Sequence, residues 1–164
     1  MPYRLRLASA PTKLSSRLVL ADLTGDPPLP PDESGDPLPR SPAAGLSVLL
    51  VEDQTIIALD TESMLLELGA AHVHAVTTAD AALTWLRDAA VDVAVLDIAL
   101  GHEMSYPVGD MLLARDTPFV FTTGYGDTSV MPAQFSKVPV VHKPYTANEL
   151  ASALTHCLSG RRQG

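Results

Sequence analysis

The stretch that decides the fold is Val93-Ala94-Val95-Leu96-Asp97-Ile98-Ala99-Leu100, an apolar run interrupted by one carboxylate. The run is too short for a free-standing helix and is typical of a strand buried on both faces of a sheet. An ionised carboxylate would be costly to bury inside such a strand. We therefore expect Asp97 at the C-terminal tip of the strand, where water, a metal ion or a phosphate can reach it.

Apolar runs of the same kind alternate with helical patterns throughout residues 46–158. The predicted strands cover residues 46–51, 72–76, 91–96, 118–122 and 138–141. The predicted helices cover residues 54–68, 79–89, 108–115 and 146–158, with a loop at 101–107 and a short or loose helix after Gly124. Strands that alternate with helices, without room for hairpin turns, predict an α/β fold: a doubly wound, five-stranded parallel sheet with helices on both faces.

Local signals mark the ends of these helices. The first helix is expected to bury a stripe at positions 57, 61, 64, 65 and 68, and Gly69 is expected to end it. Thr78 and Thr146 stand directly before predicted helices, where a hydroxyl can accept a hydrogen bond from a free backbone N–H. Asp53 could cap the first helix in the same way.

The composition limits the class of protein. With 164 residues and 46% hydrophobic content, the chain can form one domain with a proper core, plus an appendage. Cys157 is the single cysteine, which excludes an internal disulfide. No apolar stretch is long enough to span a membrane, and the N-terminus lacks the apolar segment of a secretory signal. We therefore expect a cytoplasmic protein.

Acidic side chains dominate the predicted domain. Residues 46–158 carry fourteen acidic and four basic side chains, a net charge of −10, whereas residues 1–45 are neutral overall. A compact acidic domain repels the phosphates of nucleic acids. We therefore expect no nucleic-acid partner, and no membrane partner either.

The two ends of the chain differ from the domain between them. Residues 1–45 hold nine of the fourteen prolines, which fix φ and remove backbone donors, so we expect a disordered, extended N-terminal segment. A docking segment for a partner is the alternative. Residues 159–164 are expected to form only a short tail, which leaves no room in this chain for an output domain after residue 158.

Polar side chains follow four of the five predicted strands. Glu52 and Asp53 end the first strand, Asp97 ends the third, and the fourth and fifth end in Thr122-Thr123-Gly124 and His142-Lys143-Pro144. A parallel sheet brings the C-terminal ends of its strands to one edge, which is where such sheets bind ligands. The sequence therefore predicts that three carboxylates, a hydroxyl and an ammonium group meet at one site.

This set of groups suits phosphoryl transfer. Three neighbouring carboxylates repel one another unless they share a cation, and an all-oxygen site beside phosphate suits Mg²⁺. A carboxylate can act as a nucleophile and form an acyl phosphate, a role that we assign to Asp97. Lys143 can neutralise part of the phosphoryl charge, and Thr123 can donate a hydrogen bond to one phosphoryl oxygen.

With these residues in place, residues 46–158 resemble a response-regulator receiver domain of two-component signalling. The resemblance rests on Glu52-Asp53, Asp97, Thr123-Gly124 and Lys143-Pro144-Tyr145. It implies a flavodoxin-like sheet of order 2-1-3-4-5 and phosphorylation of Asp97 by a sensor histidine kinase or phosphotransfer protein. It also implies Mg²⁺ bound by Asp53, Asp97 and the backbone carbonyl of Ala99, with Glu52 acting through water. In that family Lys143 contacts the phosphoryl oxygen, and its bond to Pro144 is typically cis.

The chain is also similar to stand-alone receivers that carry a Phe-Ala-Thr-Gly-x-Tyr motif, with Thr122 in place of the Ala. It departs from most receivers in strand five, where Val140 replaces the aromatic residue that moves on activation. We therefore expect the switch in residues 124–137. Tyr125 is either a substitute for the missing aromatic or a cover for the sheet edge.

Three readings of this resemblance differ in what the domain does. The first is a single-domain regulator, not an enzyme, that can dephosphorylate itself and signals by protein contact or as a phosphate sink. The expected contact surface is the segment after strand four, strand five and the last helix. The second is a pseudo-receiver, a phosphorylation-independent interaction module. The third, an Mg²⁺-dependent phosphatase, is disfavoured because Ala99 stands where such enzymes carry a second acid.

Overall fold

The computed structural model describes residues 41–124 and 131–160. The predictions made for residues 1–40, for Tyr125 and for the end of the tail lie outside the described residues. Within them, no helix has the length and apolar content needed to cross a membrane.

The described chain alternates strands and helices in the predicted order. The strands are β1 (Ser47–Val51), β2 (His72–Val76), β3 (Val93–Asp97), β4 (Ala99–Leu100), β5 (Glu103–Met104), β6 (Phe119–Thr123) and β7 (Val140–His142). The helices are α1 (Thr55–Glu67), α2 (Ala79–Asp88), α3 (Tyr106–Ala114) and α4 (Ala147–Gly160). A short 3-10 helix, Ala133–Phe135, lies between β6 and β7.

Five of these strands form one parallel sheet in the order β2-β1-β3-β6-β7. Counting only the strands of this sheet along the chain, the order is 2-1-3-4-5, so the flavodoxin-like prediction is confirmed. The register pairs Val51 with Leu96, Asp97 with Thr122, and Thr123 with His142. The C-terminal ends of the four strands that carry polar tips therefore lie along one edge.

The core has two layers because successive residues of a strand point to opposite faces of the sheet. On one face, Leu49, Leu96 and Phe121 pack against α2 and α3. On the other face, Leu50, Val95 and Val120 pack against α1 and α4, a second group of residues that are also almost fully buried. This arrangement explains why β1, β3 and β6 are continuous apolar runs in the sequence.

The segment after Asp97 differs from the prediction of a loop at 101–107. Ala99–Leu100 and Glu103–Met104 pair as a two-stranded antiparallel hairpin, and α3 begins at Tyr106 rather than at 108. Gly101 makes the tight turn with a φ of 63°, a conformation in which glycine is not strained. Strands of two residues are too short to show a periodic pattern, so the sequence alone did not indicate them.

The helix caps follow the sequence signals with one exception. Thr78 accepts a hydrogen bond from the N–H of Ala81, as predicted. Thr146 accepts one from the N–H of Glu149, whose carboxylate in turn accepts from the N–H of Thr146, a reciprocal capping box. The prediction that Asp53 caps α1 is wrong: Gln54 takes the capping position and no side chain caps the helix.

Packed structure extends upstream of Leu46. Ala43 is fully buried, its N–H donates to the carbonyl of Leu68, and the N–H of Gly45 donates to the carbonyl of Gly69. A Cβ on Gly69 would lie 3.1 Å from the Cα of Ala44, and the φ of Gly69 is 93°. The turn at 41–45 thus covers the C-terminal end of α1, and Gly69 permits the close approach.

Candidate functional site

The polar residues predicted for the strand tips meet at one edge of the sheet. Glu52 follows β1, Asp97 is the last residue of β3, Thr123 is the last residue of β6, and Lys143 follows β7. The parallel register, rather than closeness in sequence, brings them together: Lys143 is 91 residues from Glu52 and 46 from Asp97. The Lys143-Pro144 peptide bond is cis, as the resemblance implied.

Lys143 bridges two buried carboxylates. Its Nζ lies 2.6 Å from Oε2 of Glu52 and 2.6 Å from Oδ2 of Asp97. Glu52 is 1% exposed and Asp97 is 3% exposed, so water contributes little to their solvation. The backbone N–H of Lys143 donates to the carbonyl of Thr123 at 2.7 Å, which anchors the lysine to the end of β6.

Burial changes the proton affinities of all three groups. Loss of water raises the pKa of Asp97 and of Glu52, and the hydrogen bonds from Lys143 offset only part of this effect. Burial alone would lower the pKa of Lys143, but its bonds to Asp97 and Glu52 prevail and raise it. At neutral pH the site therefore keeps its ammonium group, while burial makes the ionised form of both carboxyl groups less favourable than it is in water.

The carboxylates are placed to share a cation. Oxygen atoms of Glu52, Asp53 and Asp97 lie within 4.8 Å of one another. Oδ1 of Asp53 is buried and has no hydrogen-bond partner within the described residues. Burying an unpaired carboxylate oxygen costs free energy unless a cation or a water molecule binds to it. An all-oxygen site of this kind fits a hard divalent ion such as Mg²⁺.

Ala99 and Thr123 complete the predicted set of residues. The backbone N–H of Ala99 donates a hydrogen bond to the carboxylate of Asp97, an interaction that lowers the pKa of Asp97, so Ala99 lies beside the proposed acceptor. A metal contact through its carbonyl stays a prediction. Thr123 is fully buried, and its hydroxyl donates to the carbonyl of Gly124 at 3.2 Å.

A hairpin that the sequence did not reveal covers one side of the site. A Cβ on Gly101 would lie 3.7 Å from Oδ2 of Asp53, so the hairpin turn is close to the acidic cluster. Oε1 of Glu103 accepts a hydrogen bond from the N–H of Ala79 at 2.9 Å. A carboxylate at a helix N-terminus is favourable, and here it ties the hairpin to the start of α2.

The position of the missing strand-five aromatic is occupied by Val140, which pairs in register with Phe121. Aromatic packing lies nearby instead, where Phe135 stacks on Tyr106 and meets Phe121 edge-on. Phe135 is fully buried, which contributes about 1.5–3 kcal/mol. Phe135 anchors residues 131–137 under α3, an anchor that sequence analysis missed because the segment has no periodic pattern.

A polar contact also joins α1 to the loop after β7. Oγ1 of Thr61 lies 2.7 Å from the hydroxyl of Tyr145. Position 61 was assigned to the buried stripe of α1 and is indeed 1% exposed, but its side chain is polar. A threonine within an otherwise apolar stripe was the one sequence signal for this contact.

Comparison with known proteins supports the resemblance to receiver domains that the sequence indicated. A model of the response regulator receiver domain matches residues 48–155. The solution structure of SdrG from Sphingomonas melonis Fr1 is 40% identical, with a TM-score of 0.59, over 71% of this chain and 98% of that one. The BeF3-activated conformation of SdrG from Pseudomonas melonis Fr1 is 42% identical, with a TM-score of 0.58, over 68% and 95%.

A more distant structure shows the same domain. The crystal structure of a response regulator receiver protein from Sinorhizobium medicae WSM419 is 25% identical, with a TM-score of 0.61, and covers 71% of this chain and 97% of that one. No match was found among curated proteins.

The raised pKa of Asp97 leads to a prediction about stability. Because the folded state holds this proton more tightly than the unfolded state, the contribution of Asp97 to stability falls as the pH rises from its ordinary pKa through its raised one. Asp97→Asn mimics the protonated form, so we expect it to raise the melting temperature of the metal-free protein at neutral pH.

Thermal melts in the presence of a chelator, from about pH 4 to about pH 8, measure this effect. The gain in melting temperature should shrink toward the acid end, where the folded state holds the proton of Asp97 and the unfolded state is partly protonated as well. Asp88→Asn, a change at an exposed carboxylate of α2, is the matched control and should have little effect at any pH. A lower melting temperature for Asp97→Asn at neutral pH would mean that the pair with Lys143 outweighs the cost of burial.

Proposed function

The chain belongs to the response regulator receiver domain family, and on that premise we propose that it is a single-domain response regulator that accepts a phosphoryl group on Asp97. The observation that carries the proposal is the contact between Nζ of Lys143 and Oδ2 of Asp97, at a strand tip that also carries Glu52 and Asp53. The donor is a sensor histidine kinase or a phosphotransfer protein. The regulator then acts by protein contact or as a phosphate sink.

The proposed reaction transfers a phosphoryl group between two side chains. A carboxylate oxygen of Asp97 forms a bond to phosphorus while the bond from phosphorus to the donor histidine nitrogen breaks. The electron pair of that bond remains on the imidazole, which is a good leaving group. Water later attacks the acyl phosphate, which restores the carboxylate and releases inorganic phosphate.

The residues around Asp97 have separate tasks in this reaction. Lys143 is already held at Asp97, where its charge can meet the negative oxygens of the transferred group. Glu52 holds the other side of the ammonium group and so orients it. Bound at Glu52, Asp53 and Asp97, Mg²⁺ would supply the positive charge that lets the carboxylates and the phosphoryl oxygens lie together.

A small phosphodonor tests the acceptor role directly. We expect incubation with Mg²⁺ and acetyl phosphate to add a single phosphoryl group, because Asp97 needs only a reactive donor and a cation. Intact-mass spectrometry measures the adduct. It should disappear in Asp97→Asn and persist in Asp88→Asn. If neither acetyl phosphate nor a cognate kinase labels the wild-type protein, the proposal is wrong, and a phosphorylation-independent module is the better description.

The metal site is tested separately from phosphorylation. We expect Asp53→Ala to weaken Mg²⁺ binding at least tenfold, because Asp53 offers the one carboxylate of the cluster with a buried oxygen that lacks a hydrogen-bond partner in the described residues. Isothermal titration calorimetry measures the affinity. Asp60→Ala, which removes an exposed acid from α1, is the control for the loss of one negative charge. Unchanged affinity in Asp53→Ala would place the ion elsewhere.

An exposed apolar surface on α1 supports the proposal of a protein donor. Ile56 is 83% exposed, Leu59 is 60% exposed and Leu66 is 49% exposed, and their spacing places them on one face of the helix. Helix α1 begins at Thr55, three residues after Glu52, so this face borders the site. Large apolar side chains exposed on one face of a helix are typical of protein contacts. We propose that the phosphodonor protein docks on it.

If the donor docks on α1, a substitution on this face should slow transfer from the donor protein without slowing phosphorylation by acetyl phosphate. We expect Leu59→Lys to slow phosphoryl transfer from the cognate kinase or phosphotransfer protein by about tenfold or more, since an apolar contact of the proposed complex is lost. The rate with acetyl phosphate should not change. Leu113→Lys alters an exposed leucine of α3 and should leave both rates unchanged. Equal transfer to Leu59→Lys and wild type would exclude α1 as the docking surface.

A further inference from the structure

The loop that carries Lys143 is joined to α1 across an open space. A cavity of about 360 Å³ lies between them, lined by Ile57 and Thr61 from the helix and by Lys143, Pro144 and Tyr145 from the loop. Apolar side chains that interlock would hold two elements in one relative position, but here a gap separates them. Tyr145 also packs against the core cluster that contains Leu65 of α1, so packing holds its ring while the cavity lies beside it.

One hydrogen bond spans this gap. The hydroxyl of Tyr145 and Oγ1 of Thr61 lie 2.7 Å apart, and they are 84 residues apart in the chain. Among residues 41–124 and 131–160, no other side-chain hydrogen bond joins α1 to residues 143–146. Thr61 is almost fully buried, so water does not replace the bond readily when it breaks.

The two ends of this loop are held by hydrogen bonds to regular secondary structure. The backbone N–H of Lys143 donates to the carbonyl of Thr123, and Thr146 forms the capping box with Glu149 at the start of α4. Tyr145 lies between these two anchors, two residues after Lys143. Its bond to Thr61 is the side-chain hydrogen bond that, within the described residues, restrains the distance of the loop from α1.

From this geometry we propose that the Thr61–Tyr145 hydrogen bond is a positioning device for Lys143. It holds the loop after β7 so that the ammonium group reaches Asp97, and it links α1, on which the donor is proposed to dock, to the phosphorylation site. The inference rests on the proposed function. Thr61 and Tyr145 act through Lys143, since neither touches the reacting atoms.

Paired hydroxyl deletions test the proposal. Tyr145→Phe and Thr61→Val keep the shape of the side chain and remove one hydroxyl each. We expect each change to lower the maximal rate of phosphorylation by acetyl phosphate about three- to tenfold, equivalent to one net hydrogen bond. The double variant should be no slower than the slower single variant, because either deletion already breaks the bond. Thr61→Ser, which keeps the hydroxyl, should restore a rate near that of wild type.

Two further measurements separate positioning from a general loss of structure. The Mg²⁺ concentration for half-maximal rate should not change, because Asp53 and Asp97 stay in place. Binding of beryllium fluoride, a phosphoryl mimic that requires no transfer, should weaken by a similar three- to tenfold factor. Thr155→Val removes an exposed hydroxyl from α4 and should have no effect on either quantity.

The outcomes distinguish the two proposals. If wild type is phosphorylated and both single variants react at its rate, the positioning role is wrong and the proposed function stands. Effects that add in the double variant would also overturn it, since the two hydroxyls would then act independently. If wild type takes up neither acetyl phosphate nor beryllium fluoride, the proposed function fails and the positioning role fails with it.

Discussion

The ammonium group of Lys143, held between Glu52 and Asp97, is the interaction on which the site depends. Burial disfavours both carboxylates, so a cation must compensate them, and Lys143 is placed within 2.6 Å of each. The three residues come from the ends of different strands. The contact therefore exists only because the sheet is parallel and its register aligns those ends.

The acidic site follows the family pattern more closely than strand five does. The acidic cluster and Lys143 match the family pattern, whereas Val140 replaces the strand-five aromatic that usually moves on activation. In its place, Phe135 fills the core beneath α3, where Gly109 leaves room for the ring: a Cβ there would lie 2.9 Å from Cε1 of Phe135. Phe135 thereby holds residues 131–137 against α3.

Sequence patterns predicted most of the site because each strand tip has its own signal. A buried apolar run followed by an acid identified Glu52, Asp53 and Asp97 without knowledge of contacts. Of the two roles predicted for Asp53, capping of α1 is wrong, and binding of Mg²⁺ stays a prediction supported by one buried oxygen without a hydrogen-bond partner in the described residues. The hairpin at 99–104 was missed because pairs of residues show no period.

The sequence by itself determined the α/β class and the residues at the strand tips, because these follow from local periodicity and from the rules of parallel sheets. The strand order was implied by the resemblance to receiver domains. Only the tertiary structure decided which groups touch. The bridge made by Lys143, the contact of Glu103 with the start of α2, and the Thr61–Tyr145 bond each join residues distant in sequence. Such pairs depend on ångström-scale placement, which no local pattern of residues encodes.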